Sequence, residues 1–166
     1  RVLGAVSYGG LGFGMNTKIA YVGINNTSNQ IRAGMVDTDG LNASDVTVDT
    51  TVAKDAVTGA YAFDANKINE DYFIVAYKTG ATAYRVKIVD CSGGSIANGA
   101  FGSFTTTDTI VSLAVCGDRD TADLIHVYVA TEAGGTMTLR CTTINSSTFA
   151  VVVAPTVVFT YTGTIA

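Results

Sequence analysis

Tryptophan is absent, proline and histidine each occur once, and only 14% of the 166 residues are charged. With 48% hydrophobic residues beside so little charge, the chain can bury apolar surface, which excludes a solvated disordered polymer. Its net charge of −4 comes without a basic stripe, so neither nucleic acid nor an anionic membrane surface is an expected partner. The most apolar segment, residues 149–159, falls short of the roughly 20 residues of a spanning helix and contains Pro155, so no membrane insertion is expected. Three cysteines cannot form a closed set of disulfides. Without CxxC spacing or clustered histidines, no metal and no cofactor is implied, and Cys91, Cys116 and Cys141 read as small buried hydrophobes. No signal peptide opens the chain, and its first residue is Arg1, which suggests a processed or excerpted polypeptide.

What is abundant is threonine, valine, alanine and glycine, while the strong helix formers Glu, Lys and Gln are scarce. β-branched side chains suit a pleated surface and lose χ1 freedom in helices, so the composition predicts an all-β chain. A length of 166 residues suits one well-buried domain.

The strands repeat. An offset of 53 residues places Val22-Gly-Ile24 on Val75-Ala-Tyr77, Arg32 on Arg85, Met35 on Ile88, Val36-Asp37 on Val89-Asp90 and Gly40 on Gly93. It also places Val57 on Ile110, and Val86-Lys87-Ile88 on Leu139-Arg140-Cys141. The N-terminal Val2-Leu-Gly-Ala-Val-Ser-Tyr8 resembles residues 57–63, and Thr164-Ile165 resembles Thr109-Ile110. Residues 1–166 are therefore a single all-β repeat domain of three units, about 1–55, 56–108 and 109–166.

Four strands are predicted in each unit. They cover 2–8, 19–24, 31–37 and 46–52 in the first, and 57–63, 72–77, 84–90 and 100–106 in the second. In the third they cover 110–116, 124–129, 137–143 and 154–161. In the middle unit, Phe73, Val75 and Tyr77 share one face and Tyr72, Ile74 and Ala76 the other, so this strand is expected to be covered on both sides. On the next strand Tyr84, Val86 and Ile88 alternate with Arg85 and Lys87, and one face is expected to be partly covered. The first strands carry small residues such as Gly59, Ala60, Ser112 and Ala114, as a crowded centre requires. Asp37-Thr-Asp-Gly40, Asp90-Cys-Ser-Gly93 and the segments 25–29, 78–81 and 132–135 supply turn chemistry.

A small-residue strand, an aromatic-and-valine strand, a strand ending near Asp and a turn with Gly resemble blades of a β-propeller. The repeats are similar to those in large phage tail-associated proteins and bacterial surface proteins. Trp-Asp, kelch double-glycine and Asp-box signatures are absent, so the likeness is to the architecture of the blade. It implies four-stranded antiparallel blades, part of a ring or completed by oligomerisation, since three do not close one. A β-sandwich or an open β-solenoid is the alternative architecture.

No catalytic constellation is evident. His126, the single histidine, lies mid-strand and reads as a packed, hydrogen-bonded residue. Asp37, Asp39, Asn42 and Asp45 are the densest oxygen-ligand cluster and the candidates for calcium, although their spacing departs from an EF-hand loop and an Asx turn accounts for Asp37 and Gly40. Asp118, Asp120 and Asp123 are the loop carboxylates a glycosidase could draw on. Tyr8, Tyr61, Tyr72 and Tyr84 could stack on sugars or fill the core, and Asn25, Asn29, Lys78 and Glu132 are the loop-borne ligand candidates. Arg32 and Arg85 are equivalent and suit a blade contact or a solvated face. Sequons at Asn25, Asn26, Asn42 and Asn145 matter only in a glycosylating host.

The expectation is a non-catalytic structural or adhesion module of an extracellular or virion assembly, such as a phage tail or fibre. Its expected partners are copies of itself or neighbouring structural subunits, with surface glycans next. A lectin-like carbohydrate-binding propeller is the alternative, and the propeller portion of a glycoside-processing enzyme the third reading.

Overall fold

The computed structural model describes residues 11–163 apart from 16–17, 26–27, 38–42, 55–60, 70, 93–94, 119 and 122. Among these residues every regular element is a strand. The first sheet contains β1 (Leu11–Met15), β2 (Lys18–Asn25), β3 (Gln30–Asp37) and β4 (Ala43–Asp49). The second contains β5 (Phe63–Lys67), β6 (Tyr72–Lys78), β7 (Ala83–Asp90) and β8 (Ala97–Thr105). The third contains β9 (Thr109–Gly117), β10 (Leu124–Ala133), β11 (Thr136–Asn145) and β12 (Val151–Thr162). Each is a four-stranded antiparallel sheet in chain order. The all-β class and the three antiparallel units are as the sequence indicates.

Two first strands depart from expectation. The segment 2–8 lies outside the described residues, and the strand that pairs with β2 is Leu11–Met15. In the second unit the strand is Phe63–Lys67 and meets the expected 57–63 only at Phe63. The turn after it fixes the register, because Asn69 Oδ1 accepts the Asp71 and Tyr72 amides at 2.8 and 2.9 Å and sets Lys67 opposite Phe73. The polar residues Asp64 and Asn66 conceal this strand in the sequence. They face the neighbouring sheet, where Asp64 Oδ2 accepts the Val115 amide at 2.9 Å and Asn66 Nδ2 donates to the Val115 carbonyl at 3.3 Å.

Turns follow their residues. Gly134 and Gly135, with φ of 58° and 79°, form the two-residue β10–β11 connection, where positive φ at both positions matches the twist of the hairpin. Asn145 Oδ1 accepts the amides of Ser147 and Thr148 at 3.0 and 2.9 Å and closes the β11–β12 turn.

The sheets stack face to face with the second in the middle. Each has a forward face, turned toward the next sheet in the chain, and a rear face. Ala20, Val22, Ile31, Ala33 and Met35 on the forward face of the first sheet pack with Phe73, Val75, Tyr77 and Val89 on the rear face of the second. Ile74, Ala76, Tyr84 and Val86 on the forward face of the second pack with Ile110, Leu113, Val115, Ile125, Val127 and Val129 of the third. Both faces of β6 are therefore buried, as its two apolar sides require. Arg85 and Lys87 turn toward the first sheet, so the face expected to be only partly covered is also an internal one.

The first and third sheets share no core, so the described strands form an open array and not a closed ring. The first strands β1, β5 and β9 are neighbours along one side of the stack. On the opposite side β12 is exposed along its whole length, with Val158 55% and Phe159 57% accessible. This asymmetry sets an expectation for stability. Ile74→Ala should cost about 2–5 kcal/mol in chemical denaturation because it leaves a cavity between two sheets. Val158→Ala should stay within about 0.5 kcal/mol. Equal losses at the two positions would contradict the stack.

Candidate functional site

Charged side chains tie the sheets together at the two seams between them. At the seam of the first and second sheets, β4 ends with Asp49 facing β6 and β7. Its Oδ2 accepts the Tyr77 hydroxyl at 2.5 Å and an Arg85 guanidinium N–H at 2.8 Å, while Oδ1 accepts the Thr51 amide at 2.7 Å. Burial by itself raises the Asp49 pKa. The hydrogen bonds from Thr51, Tyr77 and Arg85 outweigh it and hold the carboxyl well below the usual carboxylate range. Tyr77 moves the other way, raised by burial and by its bond to Asp49, so its phenol stays protonated. Lys87 Nζ donates to the Val48 carbonyl at 2.5 Å, and burial lowers its pKa. These contacts satisfy charge that the stack would otherwise strand.

The second seam repeats the device. Arg140 on β11 approaches Asp108 Oδ2 at 3.6 Å, as Arg85 approaches Asp49. In both seams a carboxylate at or just after the fourth strand meets a basic residue on the third strand of the next sheet. Arg32, at the repeat position of Arg85, pairs with Asp45 of its own sheet on the open rear face. Of the two equivalent arginines, only Arg85 lies at a contact between sheets.

Lys78 is 2% exposed, and its Nζ donates to the Ile110 carbonyl at 2.9 Å. The sequence places it among loop contacts for a ligand. In the structure its side chain is buried at the second seam, where the ammonium ties β6 to β9. The other ligand candidates shape turns. Asn25 Oδ1 accepts the Ser28 amide at 3.2 Å, and Glu132 Oε1 accepts the Gly135 amide at 2.9 Å. Asn29, at a φ of 52°, accepts the Tyr61 hydroxyl. Asn25, Asn29 and Glu132 are not brought together in one site.

Of the calcium candidates, Asp39 and Asn42 lie outside the described residues. Asp37 ends β3, and Asp45 is held by Arg32. Among the described residues no group of three His, Cys, Asp or Glu side chains is placed to hold a metal.

His126 has both ring nitrogens engaged, Nε2 with Asp118 Oδ2 at 2.9 Å and Nδ1 with Thr143 Oγ1 at 3.0 Å. The hydrogen bond with His126 leads in lowering the Asp118 pKa, helped by the Asp120 and Thr121 amides. Carboxylate, imidazole and hydroxyl thus lie in line. Thr143 is buried, and its hydroxyl is engaged with the ring. The group fixes the ring, in keeping with a packed, hydrogen-bonded histidine.

A groove of about 330 Å³ opens at one end of the second seam. Tyr72, Asn69 and Asp90 line it from the second sheet, and Asp123, Ser146 and Ser147 from two turns of the third. An aromatic ring beside carboxylates, an amide and hydroxyls can stack on and hydrogen-bond a neutral polar ligand. Of the three loop carboxylates only Asp123 reaches this groove. Tyr72 lines it, whereas Tyr84 stacks on Phe104 at 5.3 Å in the core. Asn69, Asp90, Ser146 and Ser147 carry no sequence signal for such a site, since each belongs to a turn or strand end whose neighbour across the seam is distant in the chain.

No protein-family model, curated protein or solved structure matches this chain.

The Asp49 cluster gives a pH dependence. The folded-state pKa of Asp49 lies below its unfolded value of about 3.9, so its stabilisation is complete above that pH and is lost as pH falls below it. Asp49→Ala should cost about 3 kcal/mol at pH 7, because Arg85 loses its partner and Tyr77 its acceptor. It should also flatten the acid limb of a denaturation series. An unchanged acid limb would remove Asp49 as its source.

Proposed function

We propose that this chain is a non-catalytic structural or adhesion module of an extracellular or virion-surface assembly, of the kind found in a phage tail or fibre, built from propeller-type blades. One observation carries the reading: the same seam, apolar between sheets and tied by a carboxylate and a basic residue, is built twice in 166 residues. Stacking of this kind makes a rigid platform whose stability grows by neighbour contacts. The neighbouring first strands β1, β5 and β9 and the exposed outer strand β12 suit blades arranged around an axis. Low charge and abundant Thr, Ser and Asn suit an exterior surface.

A lectin-like role is the second reading, favoured by the groove at Tyr72, Asp90 and Asp123. Single shallow sites of this kind gain avidity when repeated on an assembly. A glycan array followed by titration of the hits separates the two readings. The structural reading expects no saturable binding and no glycoside turnover. Binding that falls about tenfold or more in Tyr72→Ala would establish the lectin reading instead. Turnover abolished by Asp90→Asn or Asp123→Asn would make the groove an enzyme site.

A further inference from the structure

The two internal seams each join a forward face to a rear face, and among the described residues one face of each kind has no sheet packed on it. In the first two sheets the forward-face residues Val22, Ile31, Ile74 and Val86 are fully buried. On the third sheet the same face carries Tyr128 and Ala130 of β10, opposite Cys141 and Leu139 of β11, and all four are only half-buried. It continues onto β12, where Phe159 opposite Leu139 and Tyr161 opposite Met137 are exposed.

The rear face of the first sheet is the counterpart. Phe73, Val75 and Tyr77, or Ile125, Val127 and Val129, are buried at this place in the later sheets. Here Ile19, Tyr21 and Val36 are half-exposed. The Tyr21 ring lies over Gly34, where a Cβ would fall 2.1 Å from the ring, so Ile19, Tyr21 and Val36 form an apolar patch beside the Arg32–Asp45 pair.

We propose that the forward face of the third sheet seats the rear face of the first sheet of a second copy of this chain, head to tail. A second copy seated in this way continues the two seams already built, each of which joins a forward face to a rear face. Four strands about 4.8 Å apart and eight residues long give a face of roughly 500 Å². One contact would bury roughly 1,000 Å² in total, and a closed pair, with two contacts, roughly 2,000 Å², which is enough for a stable dimer. A closed pair brings six sheets together, a number a ring accommodates. The inference rests on the structural reading above.

Native mass spectrometry and sedimentation on the 166-residue chain test it, with Tyr128→Arg at one face and Ile19→Arg at the other. The expected result is a wild-type mass at a multiple of 17.1 kDa and dissociation constants raised about tenfold or more by either change. An equimolar mixture of the two variants should recover a weaker, open pair that grows no further, because only the one contact with both faces intact can form. Circular dichroism checks that both variants fold.

Wild-type thiols give a second measurement that needs no variant. Cys116 and Cys141 lie on the open face and Cys91 is buried, so alkylation of the first two should slow as protein concentration rises. A monomeric wild-type mass with concentration-independent alkylation overturns the inference, and so does an assembly that neither substitution weakens. Ligand capture or turnover by the chain would instead sink the structural reading and leave the measured mass as it is.

Discussion

Burial of the second sheet on both faces is the constraint on which the rest depends. β6 presents Phe73, Val75 and Tyr77 to one side and Ile74 and Ala76 to the other, and all five are fully buried. No two-layer arrangement leaves such a strand free of exposed apolar surface. A sheet must lie on each side, and these are the first and third sheets of the same chain. Fully burying side chains of this size stabilises by about 1.5–3 kcal/mol each, more than an exposed ion pair supplies.

The polar seams follow from that burial. Where sheets approach closely, a charged side chain must find a partner or remain in water. Asp49 meets Arg85 and Tyr77, Lys87 meets the Val48 carbonyl, and Lys78 meets the Ile110 carbonyl. Asp64 and Asn66 bind both backbone groups of Val115 and so join two strands of different sheets. These bonds act mainly to fix register, because a slip by one residue would turn each charged group onto a different face. Packing supplies the attraction, and the polar ties select the alignment.

Much of this was legible in the chain. The two apolar faces of residues 72–77, the small residues of 110–116 and the Gly134-Gly135 turn each specify local structure. The offset of 53 holds for Arg32 and Arg85, whereas the strand pairing sets Gly23 on Tyr77, an offset of 54. What sequence could not show were contacts made across a seam. The polar character of Asp64 and Asn66 reads as a loop until β9 is placed beside them. Lys78 reads as an exposed cation until its ammonium reaches Ile110. The groove assembles residues 69, 72, 90, 123, 146 and 147, which share no local spacing and meet only through the stacking of two sheets. Asp118 was legible as a loop carboxylate, but its pairing with His126 depends on the β9–β10 register, which sets Cys116 opposite His126 and so puts Asp118 diagonally across on the same face.

Amide hydrogen exchange resolved along the chain, at dilution low enough to keep single copies, tests the central claim most directly. Local opening energies run from near zero at exposed edges to the global value in a core. The account requires the slowest exchange in β6 and β7 and much faster exchange in β12, despite its length of 12 residues. Protection in β12 equal to that of β6 would contradict a stack whose second sheet is its buried centre.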